Sequence, residues 1–139
     1  GLQNEKAVLE PAVRAADIVS CATLAEAPLV HGDWLCPGTH LDLIGSFRPT
    51  MREADDAAVR RARVWIDCPA ALAESGDLTQ PIASGALARE AIAGDLAALC
   101  RNTAPGRTDA QEITLFKSVG TALEDLAAAT LVWHDANPA

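Results

Sequence analysis

Four short runs rich in β-branched and aliphatic residues recur along this chain, at 18–23, 41–44, 62–67 and 112–117, and stretches with helical spacing separate them. Short runs bounded by turn residues read as buried strands, and strands that alternate with helices mark a parallel sheet joined by right-handed crossovers. The alternation predicts an α/β fold: a mostly parallel sheet of three to four strands with flanking helices. At 139 residues the chain has the size of a single domain, able to bury roughly two thirds of its unfolded surface.

Between the strands, residues 5–16 place Val8, Leu9, Ala12 and Val13 at helical spacing broken by Pro11, which predicts a short helix or turn. Pro28, Gly32 and Asp33 mark a loop, and 34–38 a turn into the second strand. A helix over 52–61 carries Asp55 and Asp56 in its first turn and Arg60 and Arg61 in its last, which suits the helix dipole. Residues 69–74 read as a short helix stopped by Ser75 and Gly76, 77–84 as a loop containing Pro81, and 85–99 as an alanine-rich helix with an interruption at Gly94. After a loop at 102–108 and the last strand, a helix over 121–132 is entered through 118–120. It sets Leu123, Leu126, Ala127 and Thr130 on one face, with Val119 as a first member.

Composition closes off several classes of function. The formal net charge is −8 and the 11 basic residues are scattered apart from Arg60, Arg61 and Arg63, so nucleic acid is not a fitting partner. No run approaches the ~20 apolar residues of a membrane span, and the polar start at 1–6 does not read as a signal peptide; the expected address is the cytoplasm. Cys21, Cys36, Cys68 and Cys100 form no C-x-x-C pair, which predicts a reducing compartment with buried thiols. His31, His40 and His134 are too scattered for a metal site, and Trp34, Trp65 and Trp133 read as core or interface packing.

Residues 38–53 carry the densest signal. The strand at 41–44 runs into Gly45 and Ser46, then into a loop that Pro49 keeps from continuing as strand, then into an acidic helix start. In open α/β sheets ligands sit beyond the carboxyl ends of strands, and a glycine there lets a flat ring approach the backbone. No G-x-G-x-x-G occurs in the chain, so no glycine-rich turn is present to bring a pyrophosphate to a helix N-terminus. The pattern is half of a doubly wound nucleotide fold, the half without the phosphate clamp.

Five segments extend this reading: Ala16, Asp17, Ile18 and Val19 leading to Ala22 and Thr23; residues 38–53; Trp65, Ile66 and Asp67; Glu74, Ser75, Gly76 and Asp77; and residues 114–120 with Glu124 and Asp125. Together, and in this order, they resemble the ornithine cyclodeaminase and mu-crystallin family of nicotinamide-dependent enzymes. The resemblance implies that residues 1–139 are the C-terminal half of a Rossmann-like NAD(P)-binding domain plus a C-terminal helix. The G-x-G-x-x-G half would then lie upstream of residue 1, and the substrate domain outside these residues too. The implied cofactor is NAD or NADP.

The resemblance also implies a site. Ala22 and Thr23 match a small-residue turn beside the nicotinamide ribose, Ile44, Gly45 and Ser46 match the segment lying against the ring, and Ser118 matches a contact at the nicotinamide end. Lys117 would pair with a substrate or with the carboxamide. Each has a plainer alternative: Thr23 as a local cap, Gly45 and Ser46 as an ordinary strand exit, Ser118 as a helix cap, Lys117 as a solvated side chain, and Arg52 with Glu53 as an ion pair at a helix start. Phe47 stands where the family's cyclodeaminases carry a proton-transferring aspartate, and a phenyl ring has no proton to give; it could equally be a packing ring under the loop. The stretch is closer to the family's imine reductases, which reduce cyclic imino acids such as Δ1-pyrroline-2-carboxylate with NAD(P)H. The alternatives are a cyclodeaminase, converting ornithine to proline and ammonia, and a non-catalytic association module. On its own the chain is expected to be inactive and to self-associate through an exposed sheet edge and uncovered apolar faces.

Overall fold

The computed structural model of the chain describes residues 6–137. Its elements are α1 (Leu9–Ala15), β1 (Ile18–Cys21), β2 (His40–Leu43), α2 (Asp56–Arg61), β3 (Arg63–Ile66), α3 (Ala71–Glu74), α4 (Gly76–Ser84), β4 (Gly94–Asp95), α5 (Leu96–Cys100), β5 (Thr114–Lys117) and α6 (Ala122–Ala136). The strands form one sheet in the order β1-β2-β5-β3-β4, and every ladder is parallel. The α/β expectation holds, with a fifth strand beyond the three to four read from the sequence.

Register explains the core. Val19, Leu41, Leu115 and Val64 lie side by side across β1, β2, β5 and β3, so their side chains share one face. That face packs with Val13 of α1, Ala58 and Val59 of α2, Ala71 of α3 and Leu78 of α4 in one apolar cluster. Leu41, Leu43 and Leu115 are fully buried, each worth about 1.5–3 kcal/mol of burial free energy. The opposite face carries His40, Asp42, Thr114, Phe116 and Trp65 and is only partly covered. His40, Trp65, Leu96, Leu99, Arg107, Thr114 and Phe116 line an open cavity of about 490 Å³ on it.

Several local expectations are corrected. Pro11 lies inside α1 without breaking it, because the third residue of a helix has no intrahelical acceptor for its N–H to lose. The helix foreseen from residue 52 begins at Asp56, capped by Asp55, whose carboxylate accepts from the Ala58 N–H. Residues 77–84 are not a loop: Ser75 caps α4, and Pro81 forfeits only the bond its N–H would have made to the Asp77 carbonyl. Residues 85–99 are not one helix. Gly94 sits at φ +154, outside helical space, and pairs with Trp65 as the short strand β4 before Asp95 caps α5. Alanine propensity loses here to a backbone conformation that glycine alone adopts freely.

The last helix, α6, starts at Thr121 in a capping box with Glu124 and has no buried residue. Leu123 is 76% exposed, Leu126 61% and Trp133 67%, so Trp133 is not core packing within the described residues. Val119 packs on the core, apart from α6. Of the thiols only Cys21 is buried; Cys36 and Cys100 are exposed, against the expectation of four buried cysteines. Among the described residues no helix is long and apolar enough to cross a membrane, and no group of His, Cys, Asp and Glu could hold a metal ion.

Candidate functional site

In a parallel sheet every strand delivers its exit loop to the same edge. Ala22 and Thr23 leave β1, Ile44 to Ser46 leave β2 and Ser118 leaves β5, and these strands are neighbours, with β2 in the middle. Two backbone bonds extend the ladders past the strand ends: Ile44 N–H donates to the Cys21 carbonyl (2.8 Å) and Ser118 N–H to that of Leu43 (3.0 Å). The candidate residues drawn from three distant parts of the sequence therefore lie at one edge of the sheet, on neighbouring strand exits.

Glu53 joins two of these strand exits. Its Oε1 accepts from the Thr23 N–H (2.6 Å) and from Thr23 Oγ1 (2.8 Å), and its Oε2 accepts from the Gly45 N–H (2.8 Å). The exits of β1 and β2 approach so closely that a Cβ on Gly45 would collide with the Thr23 backbone and the Glu53 carboxylate. The missing side chain of Gly45 thus makes room for the protein itself, and the expected ring approach does not explain it. Glu53 is fully buried, and Arg52 pairs with Asp56 instead, so the expected Arg52–Glu53 ion pair does not form.

Beneath Glu53 lies a buried polar network. Asp77 Oδ1 accepts from the Glu53 N–H (2.7 Å) and the Ala54 N–H (3.1 Å), while Lys117 Nζ donates to the Leu43 carbonyl (3.1 Å) and stands 3.6 Å from Asp77 Oδ2. Ser46 Oγ donates to the Met51 carbonyl (2.7 Å) and lies 3.0 Å from Ser75 Oγ. Burial pushes the Asp77 carboxyl up against the pull of these N–H donors and of Lys117. Burial likewise pushes the Lys117 ammonium down, opposed by Asp77. The Cys21 thiol, buried first of all and then facing the charges of Glu53 and Asp77, is pushed up to about 12.

These contacts revise the roles read from the sequence. Lys117 is neither solvated nor presented to a ligand: its ammonium is turned inward to Leu43 and Asp77. Ser46 is fully buried, its hydroxyl engaged with Met51 and Ser75. The Thr23 hydroxyl hydrogen goes to Glu53, and Ala25 N–H donates to the same oxygen (3.3 Å). Ser118 does not cap the following helix, a task that falls to Thr121; its Oγ donates to Asp67 Oδ2 (3.0 Å). Asp67 Oδ2 also accepts from the Val119 and Gly120 N–H groups (2.8 and 2.7 Å), and Oδ1 from Cys68 (2.6 Å). Burial alone would raise the Asp67 carboxyl, but these donors outweigh it and hold it below the usual range. Phe47 is 44% exposed with the Arg48 guanidinium 5.4 Å from its centroid, so it is not a ring packed under the loop.

The rim left open by these internal bonds is small and apolar. Ala22 and Ile44 are exposed at the ends of adjacent strands, and Ser118 is half-buried beyond them. Glu53, Asp67 and Asp77 were not singled out as site residues from the sequence. All three fall inside the resembling segments, Glu53 at the end of 38–53, Asp67 after Trp65 and Ile66, and Asp77 after Ser75 and Gly76; that neighbourhood is the signal the sequence offers for them.

Residues 6–138 match the sequence model described as the ornithine cyclodeaminase/mu-crystallin family. The chain is 48% identical over 125 residues to the Δ1-pyrroline-2-carboxylate reductase of Paracoccus denitrificans, covering 89% of this chain and 40% of that protein. Among solved structures it is similar to the Δ1-pyrroline-2-carboxylate reductase of Thermococcus litoralis in complex with NADH and L-proline. The TM-score is 0.87 at 37% identity, over 91% of this chain and 40% of the other. It is also similar to the iminosuccinate reductase of Paracoccus denitrificans in complex with NAD+, with a TM-score of 0.83 at 31% identity, over 92% of this chain and 39% of the other. The chain spans about two fifths of the length of the curated relatives it matches. Its parallel sheet and these likenesses agree, and the chain belongs to the ornithine cyclodeaminase/mu-crystallin family.

Proposed function

We propose that these residues form the nicotinamide-facing portion of an NAD(P)H-dependent reductase acting on cyclic imino acids of the Δ1-pyrroline-2-carboxylate type. The observation that supports the proposal is that Ala22, Gly45 and Ser118 follow three adjacent parallel strands and so lie at the same carboxyl edge of the sheet. The chemistry a bound nicotinamide supplies is hydride transfer to the imine carbon. What this chain contributes is position: the ledge of Ala22 and Ile44 supports one face of the ring, and the loop at 45–49 borders it. On this reading the pyrophosphate turn and the groups gripping the substrate carboxylate come from residues beyond these 139. The 139 residues alone would then bind neither NADH nor NADPH at micromolar concentration.

Phe47 favours reduction over cyclodeamination, since it brings no titratable group to the position where the elimination needs one. The test is made on the intact gene product. NADH or NADPH is consumed when Δ1-pyrroline-2-carboxylate is added, and ornithine with NAD+ releases no ammonia. Ammonia release from ornithine without imine reduction would replace the proposal by the cyclodeaminase reading. A second reading, a non-catalytic association module, draws on the exposed apolar length of α6.

A further inference from the structure

We infer that Glu53 is a positioning residue for the nicotinamide end of the cofactor: its carboxylate bridges the exits of β1 and β2 and fixes the ledge between them. The inference rests on the proposed function, because it assigns a purpose to the ledge. Among the described residues no cation lies within hydrogen-bonding distance of Glu53, yet it is fully buried; its carboxyl oxygens accept from three donors, Thr23 N–H, Thr23 Oγ1 and Gly45 N–H. Those donors belong to two loops whose other mutual bonds, Ile44 N–H to the Cys21 carbonyl (2.8 Å) and Arg52 N–H to the Ala25 carbonyl (2.8 Å), lie to either side, and between them the carboxyl group ties Thr23 to Gly45.

The bridge is held from every side. The Glu53 carbonyl accepts from the N–H groups of Leu29 and Val30 (both 2.9 Å), its own N–H is tied to Asp77, and Asp77 is paired with Lys117 at the end of β5. Ala22 precedes Thr23 and Ile44 precedes Gly45, so each exposed ledge residue is the chain neighbour of a bridged one. A displacement of either loop moves the ledge by the same amount. An apolar side chain at position 53 could fill the space but would leave both N–H groups unsatisfied.

Glu53→Gln separates this role from plain packing. The amide keeps the volume and one acceptor oxygen for Thr23, but it sets an NH2 against the Gly45 N–H. In the intact gene product, NADH affinity is expected to fall about tenfold or more, the loss of one charge-assisted bond. Affinity for ADP-ribose, which lacks the nicotinamide, should stay within about twofold, and amide exchange at Gly45 should quicken. Equal losses for both ligands, or no loss for either, would overturn the inference in favour of a general structural role. Should the glutamine variant fail to fold, Glu53→Asp keeps both oxygens but cannot reach both loops, and the same ratio of affinities decides. A wild-type protein that binds ADP-ribose and NADH equally well sinks the ledge itself, and one that binds neither sinks the proposed function.

Discussion

At the scale of single residues, the buried ions are the parts most exposed to change. Lys117 and Asp77 are both fully buried, so Lys117→Met removes one partner and leaves a carboxylate without its counter-charge. A loss of about 3–5 kcal/mol is expected, read from the shift of the urea midpoint, and adding Asp77→Asn should recover part of it. Asp67 gives a pH signature. Burial raises its carboxyl, but the N–H groups of Val119, Gly120 and Cys68 and the Ser118 hydroxyl pull it lower still, so the folded value lies below the unfolded one. Its contribution is therefore complete above the ordinary aspartate value of about 3.9 and is lost as pH falls through the lower folded value. Asp67→Asn should cost roughly 1–3 kcal/mol at neutral pH and flatten the fall of stability below about pH 4, measured by urea unfolding across the acid range. An unchanged acid slope in the variant would show that these donors do not act on Asp67 as described.

At the scale of elements, α6 and α4 differ in what holds them. α4 buries Leu78 and Pro81, and its proline is tolerated because packing compensates for one lost backbone bond. α6 buries nothing, so its helicity rests on local terms, chiefly the Thr121–Glu124 capping box. Thr121→Ala should weaken α6 by about 0.5–2 kcal/mol. Amide exchange over 122–136 would speed up accordingly, with the slowest amides of β2 and β5 unchanged. If the β2 and β5 amides moved with it, α6 would be coupled to the sheet in a way its exposure does not show.

For the whole molecule, several surfaces are left open among the described residues. β1 ends the sheet order with its outer edge unpaired, and α6 presents Leu123, Leu126, Leu131, Val132 and Trp133 to solvent. Together with the partly covered sheet face, they are the surfaces through which the 139-residue chain is predicted to self-associate. Light scattering should find it larger than a monomer, and Leu126→Lys should shift it toward the monomer. A wild-type chain that stays monomeric at high concentration would remove the association reading. The same open surfaces are consistent with a chain that spans about two fifths of its relatives.

The sequence by itself determined four of the five strands and their common direction, because strand and helix signals alternate and a parallel sheet is the compact answer to that alternation. It also determined the family, through five segments in a fixed order. Tertiary structure alone decided which polar residues turn inward. Glu53 beside Arg52 and Lys117 beside Ser118 look in one dimension like solvated charges, and the sequence does not show that Asp77 approaches both from a separate helix. Burial of a charge depends on partners gathered from distant positions, here 53, 77 and 117, and periodicity within a single element carries no trace of that gathering.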